Sequence, residues 1–181
     1  MERSLLVAGF GGQGVMLIGK NIGYTASKKD LNATFFPAYG AEMRGGTANC
    51  SVVVSDSKIC SPVKQELDEI IVMNDLSYEK FAGRVKKGGA LYINSSLIEA
   101  KYEGDDITTY YVPVADIARK VGNPLVANMV MLGAYVANHE DIDVESMKET
   151  IKENLHGKEN LIDVNIKAFE EGINLMKGGT Q

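Results

Sequence analysis

Apolar positions along this chain switch between a strand-like and a helix-like period. Ser4–Ala8 holds Leu5, Leu6, Val7 and Ala8 in succession, a run suited to a strand buried on both faces. Val15, Ile18, Ile22 and Ala26 then recur at helical spacing, with Lys20, Lys28 and Lys29 on polar positions. Leu31–Phe36 predicts a second strand, ended by Pro37. Ala38–Gly46 has no period and three glycines, and reads as a shaped loop. Thr47–Ser55 is rich in β-branched residues and closes on Asp56-Ser57-Lys58, a turn signal that predicts a hairpin. Glu69–Met73, Ala90–Ile93 after Gly88-Gly89, and Ile107–Val112 predict further strands, with a short helix over Ser77–Val85.

The last third reads as helical. Val114–Lys120 stops at Gly122-Asn123-Pro124. Val126–Ala137 is apolar nearly all round, so core or partner should cover most of its sides. Val144, Met147, Ile151 and Leu155 mark one amphipathic helix; Ile162, Ile166, Phe169, Ile173 and Met176 mark another. Strands alternating with helices predict an α/β fold, a three-layer α/β/α sandwich with a helical carboxy-terminal third. The hairpin expected at Asp56 makes the sheet mixed, though mostly parallel, because a tight turn joins only antiparallel strands. The length, 181 residues, fits one domain over residues 1–181.

Charge and cysteine content narrow the chemistry. Nineteen Lys+Arg against 24 Asp+Glu give a net charge of −5, which argues against a phosphate-neutralising nucleic-acid surface. No apolar run reaches the roughly 18–20 residues that span a bilayer, and Leu5–Ala8 is too short for a signal-peptide core, so the expected compartment is the cytoplasm. Two cysteines, Cys50 and Cys60, cannot form a disulfide scaffold or a self-contained four-thiolate site, and no C-x-x-C occurs. Neither has a base nearby in sequence, since His139 and His156 lie far off. Cys50 reads as a small buried residue, His139 as a solvated or helix-end histidine, Asn128 as a buried polar group and Tyr110-Tyr111 as strand packing.

Two glycine-rich segments remain as candidate sites. Gly9-Phe10-Gly11-Gly12-Gln13-Gly14 matches the G-x-G-x-x-G dinucleotide fingerprint, between a strand and a helix. Its glycines let the backbone approach a ligand, and the helix amino end offers N–H groups to an anion. A complete fingerprint needs an acid at the end of the second strand to hold a ribose hydroxyl. Thr34-Phe35-Phe36-Pro37 supplies none, and Asp30 precedes the strand. The alternative is a tight strand-to-helix turn that holds nothing. In the second segment, Glu42 and Arg44 precede Gly45 and Gly46. The arginine fork suits a carboxylate or phosphate, and the glycines admit a ligand or partner backbone. The alternative is an internal Glu42–Arg44 pair that stiffens the loop. The candidate contacts are therefore Gly11, Gly12, Gln13, Gly14, Glu42, Arg44, Gly45 and Gly46, with no complete catalytic set and no metal site.

These motifs, taken in order, resemble the gamma subunit of 2-oxoacid:ferredoxin oxidoreductases. The resemblance rests on Gly9–Val15, Tyr39–Thr47, Ser55-Asp56 with Ile59–Pro62, Gly88-Gly89 with Ile93–Ser96, Gly122-Asn123 with Asn128–Gly133, and Asn165, Ala168 and Gly172. It is collinear over nearly the whole chain. One departure is Ala41, where the family usually has proline; alanine relaxes φ there.

The resemblance implies a complex with alpha, beta and delta subunits that decarboxylates a 2-oxoacid on thiamine diphosphate. Electrons then pass through iron–sulfur clusters to ferredoxin, and an acyl-CoA forms. In such enzymes the thiamine diphosphate and the clusters lie in the other subunits. The gamma part would bind no cofactor alone and would support the complex, shaping the substrate or CoA entrance. Thr47–Val52 and Ile93–Ile98 lean toward the branched-chain (2-oxoisovalerate) or 2-oxoglutarate subgroup rather than the pyruvate one, with the indolepyruvate enzyme left open. The rival readings are a stand-alone nucleotide- or anion-binding homodimer without redox partners, and a self-sufficient NAD oxidoreductase.

Overall fold

Strand β1 (Glu2–Phe10) sits inside a six-stranded sheet with β2 (Asn32–Tyr39), β3 (Thr47–Ser55), β4 (Leu67–Val72), β5 (Val85–Asn94) and β6 (Thr108–Val112). A computed structural model of the chain describes residues 1–39 and 47–178. They fall into two compact units, Met1–Val112 and Pro113–Gln181.

In the first unit the strand order is β2-β3-β1-β4-β5-β6. The pairs β1–β4, β4–β5 and β5–β6 are parallel, while β3 runs antiparallel to both β1 and β2. The sheet is mixed and mostly parallel, as expected, but not through a hairpin at Asp56. The chain leaving Ser55 runs on to β4, on the far side of β1, and pairs with it in parallel. The reversal falls instead between β2 and β3.

Pro37 does not end the second strand either. It lies inside β2, opposite Cys50, and β2 continues to Tyr39. Because β2 is an edge strand, one side carries no ladder and a missing N–H is tolerated there. The predicted helix over Ser77–Val85 is α2 (Asp75–Phe81) followed by a 3-10 turn, and Val85 already belongs to β5.

The continuous apolar run in β1 is explained by cover on both faces. Val7 stands opposite Cys50 and Leu5 opposite Val52. On that face lies α1 (Val15–Ser27), which packs on β1, β2 and β3, with the Cys50 thiol 3.5 Å from the Val15 carbonyl. On the other face Leu6 and Ala8 join Ile70, Val72, Leu91 and Ile93 in a core closed by Phe81 of α2. Helices therefore cover opposite faces of one sheet, giving the expected α/β/α layering.

At the amino end of β1, Asp68 ties three strands together. Its Oδ2 accepts from the Ser4 N–H at 2.8 Å and the Ser4 hydroxyl at 2.6 Å, and Lys86 Nζ approaches Oδ1 at 2.9 Å.

In the second unit, among the described residues, the chain forms α3 (Val114–Val121), α4 (Ala127–Val136), α5 (Val144–Asn154) and α6 (Ile162–Gly178), with short 3-10 turns between. Helix α3 stops at Gly122, which has φ 103°, and Asn123 Oδ1 then accepts from the Leu125 N–H to start the next turn. Every residue of α4 from Asn128 to Val136 is buried, as its all-round apolar character requires. It packs on α3 and α6. Gly133 and Gly172 set how closely α4 and α6 approach: a methyl on Gly133 would fall on the Phe169 carbonyl, and one on Gly172 on the Val130 carbonyl.

Asp143 caps α5 by accepting from the Ser146 N–H at 2.8 Å, and Lys148 bridges Glu145 and Glu170. Of the two readings of His139, the helix-end one holds, just beyond α4, and the solvated one does not. His139 is buried, stacked on Tyr135 at 4.2 Å between ring centroids, with Nδ1 2.7 Å from the Tyr135 carbonyl. The chain turns back there against its own helix end, which leaves His139 9% exposed. No described helix is long and apolar enough to cross a membrane.

Gly172→Ala should destabilise the chain by about 3 kcal/mol, read from the urea midpoint, because neither backbone can yield without opening the α4–α6 contact. A second outcome concerns pH. Partial burial pushes the Asp68 carboxyl up, but the Ser4 and Lys86 bonds outweigh it and hold its pKa below the ordinary value. The unfolded chain therefore binds more protons near pH 4. Stability from this group is present above about 3.9 and is lost as pH falls toward the lower folded value. Urea midpoints should drop between about pH 5 and about pH 3, and less steeply in Asp68→Asn; equal slopes would refute the tie.

Candidate functional site

Strands β1 and β4 are parallel neighbours whose continuations part. After Phe10 the chain turns through the glycine loop to α1 on one face. After Val72 it passes Met73 and Asn74 into α2 on the other. In open α/β sheets such a parting opens a crevice at the carboxyl ends of the strands, and ligands ordinarily bind there.

Here side-chain amides fill the parting. Gln13 Oε1 accepts from the Phe10 N–H at 2.7 Å and from Asn74 Nδ2 at 3.0 Å, while Gln13 Nε2 donates to the Met73 carbonyl at 3.0 Å. Asn94, at the end of β5, donates to the same carbonyl at 2.9 Å. Each asparagine also holds its own turn. Asn74 Oδ1 accepts from the Ser77 N–H at 2.9 Å and so caps α2; Asn94 Oδ1 accepts from the Ser96 N–H at 3.1 Å. Both asparagines are 2% exposed. One such bond contributes about 1 kcal/mol net, but a buried partner left unpaired costs about 1–3 kcal/mol, so the three amides stand or fall together.

Gln13 thus turns inward and links the ends of β1 and β4. Gly11 and Gly12 lie exposed outside it, with open space where a side chain would stand. Gly12 and Gly14 have φ of 97° and 73°, backbone conformations that L side chains rarely adopt. Gly14 is the N-cap of α1, which has no side-chain cap and no acid in its first turn. The structure therefore gathers Gly11, Gly12, Gln13 and Gly14 in one loop. Glu42, Arg44, Gly45 and Gly46 lie outside the described residues. Asn74 and Asn94 were missed as site residues. The available signal was position: each is the first polar residue after an apolar strand run.

The topology also separates the parts of a dinucleotide site. In that site the second strand lies beside the first. Here β3 intervenes, and strands stand about 4.8 Å apart, so the end of β2 is displaced by roughly 10 Å from β1. Among the described residues, no ribose-binding acid stands at the expected place, and the strand beside β1 on that side is antiparallel.

No three His, Cys, Asp or Glu side chains among the described residues gather as a metal site. Cys50 is fully buried, and burial pushes its thiol pKa up to about 12, far from a thiolate ligand or nucleophile at neutral pH. Cys60 is exposed. Tyr110 stacks on Tyr92 at 4.8 Å, and the Tyr111 hydroxyl accepts from the Tyr102 N–H, so both serve packing.

A mixed six-stranded sheet with helices on both faces is the α/β fold of oxidoreductase gamma subunits. The keto/oxoacid ferredoxin oxidoreductase gamma subunit from Geobacter sulfurreducens superposes with a TM-score of 0.84 at 27% identity, covering 98% of this chain and 99% of that one. The family model for pyruvate ferredoxin/flavodoxin oxidoreductase (POR) matches residues 4–175, across both compact units, and the chain belongs to that family. The ketoisovalerate oxidoreductase subunit VorA of Methanothermobacter thermautotrophicus is 38% identical over 172 residues, 94% of this chain and 36% of that protein. The 2-oxoglutarate:ferredoxin oxidoreductase from Magnetococcus marinus, solved with 2-oxoglutarate, coenzyme A and succinyl-CoA bound, superposes with a TM-score of 0.90 at 26% identity over 99% of this chain and 32% of that one. The chain thus spans about a third of the length of these last two relatives.

A disulfide reagent at about pH 8 should modify one thiol in the native chain, Cys60, and a second only in denaturant. Fast modification of both would contradict the burial of Cys50.

Proposed function

We propose that this chain is the gamma subunit of a 2-oxoacid:ferredoxin oxidoreductase. The observation that carries the reading is the POR family match over residues 4–175. In this reading the enzyme decarboxylates a 2-oxoacid on thiamine diphosphate, sends electrons through iron–sulfur clusters to ferredoxin, and releases an acyl-CoA. Alpha, beta and delta subunits carry those groups, in the cytoplasm. This chain supports them as one domain. The buried, protonated Cys50 does not suit a cluster ligand, which agrees with clusters housed elsewhere.

The exposed main chain of Gly11 and Gly12 borders the CoA entrance, with Glu42, Arg44, Gly45 and Gly46 as further candidate contacts. The Magnetococcus relative, solved with coenzyme A and succinyl-CoA bound, supports CoA as a substrate of the assembled enzyme. The substrate is a branched-chain 2-oxoacid or 2-oxoglutarate, in keeping with the VorA and Magnetococcus relatives.

A second feature supports life inside an assembly. Tyr24 on α1 and Phe35, Phe36 and Tyr39 on the edge strand β2 are large and exposed, Tyr39 at 73%. A groove of about 320 Å³ runs between α1 and β2, with Lys20 at its rim. Phe35 and Tyr39 lie on the α1 face of the strand and Phe36 on the other, so large apolar side chains are exposed on both faces of this edge, which suits an edge covered by a partner.

The test is anaerobic affinity capture of the tagged chain from its native cell, with cofactor analysis. Partners bearing thiamine diphosphate and iron–sulfur clusters, active on 2-oxoisovalerate or 2-oxoglutarate, are expected. A chain captured alone with a bound nucleotide would overturn the reading. The paired change Phe36→Asp and Tyr39→Asp should reduce co-capture about tenfold, as for residues at an interface centre, while Leu125→Asp should not.

A further inference from the structure

The amide bridge at the parting of β1 and β4 has a donor that nothing else in the fold requires. Asn74 does two separable things with two different atoms. Its Oδ1 caps α2, a task that serine, threonine or aspartate performs equally well. Its Nδ2 donates to Gln13 Oε1, which only an amide can do from this position. Gln13 Oε1 in turn holds the Phe10 N–H, at the last residue of β1, and Gln13 Nε2 anchors to the Met73 carbonyl. The orientation of the Gln13 amide is thus set from both ends: a donor in Asn74 and an acceptor in Met73.

We propose that Asn74 is a positioning residue for the Gly9–Gly14 loop. Through Gln13 it holds the exposed main chain of Gly11 and Gly12 in the one shape presented to CoA in the assembled enzyme. The loop is shaped before anything arrives, so binding there costs no loop ordering. The functional half of this inference rests on the CoA-entrance reading above; the positioning half stands on the hydrogen bonds alone.

Asn74→Asp separates the roles. The new carboxylate keeps the α2 cap but faces Gln13 Oε1 with an acceptor. If the Gln13 amide rotates to donate to it, Nε2 meets the Phe10 N–H and Oε1 meets the Met73 carbonyl, so two contacts become like against like. Either way the Phe10 N–H loses its fixed acceptor.

Two readouts follow, using the whole chain and the enzyme assembled with its partner subunits. Hydrogen exchange of the Phe10 amide in Asn74→Asp should quicken at least about tenfold, while the Ser77 amide, still capped, is unchanged. In the assembled enzyme the CoA concentration for half-maximal rate should rise about fivefold, with kcat within about twofold. Asn74→Ala should quicken both amides, which checks that the cap is being read. Unchanged Phe10 exchange in Asn74→Asp overturns the positioning role. So does an equal rise at Ser77, which would mean general loosening. Selective quickening at Phe10 with unaltered CoA dependence supports the positioning and overturns the CoA-entrance reading.

Discussion

Two parallel strands that send their chains to opposite faces of a sheet create a polar problem at their ends. The Phe10 N–H and the Met73 carbonyl lie where neither strand ladder nor helix can serve them, and a buried main-chain group without a partner is costly. Gln13, Asn74 and Asn94 answer that demand with side-chain amides. The rest of the first unit depends on this solution. The glycine turn takes its shape from it, α1 starts from that turn, α2 is capped by one of the same side chains, and the carboxyl ends of β1, β4 and β5 are fastened together.

The same solution redirects function. The crevice is spanned by mutually satisfied amides, and the glycine turn shows the backbone of Gly11 and Gly12 outward. The antiparallel strand β3, wedged between β1 and β2, works in the same direction. It moves β2 to the edge, away from the place of a ribose-binding strand, and leaves Phe35, Phe36 and Tyr39 exposed there. A domain closed at its crevice and apolar at its edge is suited to work against other protein surfaces. Its membership of the POR family, in some relatives of which the equivalent residues are about a third of a longer chain, fits that role.

Much of the architecture was legible in the residues. The unbroken apolar run of Ser4–Ala8 required cover on both faces, and α1 and α2 supply it. The all-round apolar character of Val126–Ala137 required a helix buried on every side, and α4 is one. Errors arose where a local signal has more than one tertiary use. Asp56-Ser57 is a turn, but the chain beyond it crosses to the other side of β1 rather than folding back. Pro37 stops a strand only when both of its sides are paired, which no local pattern can reveal. His139 sits among polar neighbours in sequence, yet its ring folds back onto Tyr135. The glycine loop was recognisable from spacing, whereas the direction of the Gln13 side chain depended on Met73 and Asn74, sixty residues away. Motif order across the whole chain indicated the family because six segments in sequence constrain far more than one loop does.

The central claim is that the glycine loop of this chain is closed to dinucleotides by its own amides. It is tested most directly by the thermal midpoint of the purified chain with and without millimolar NAD. A ligand present at a hundred times its Kd stabilises a folded protein by about 2.7 kcal/mol, a shift of several degrees. The account predicts an unchanged midpoint. A saturable rise of several degrees, lost in Gly12→Val, would contradict it and make the crevice a working nucleotide site.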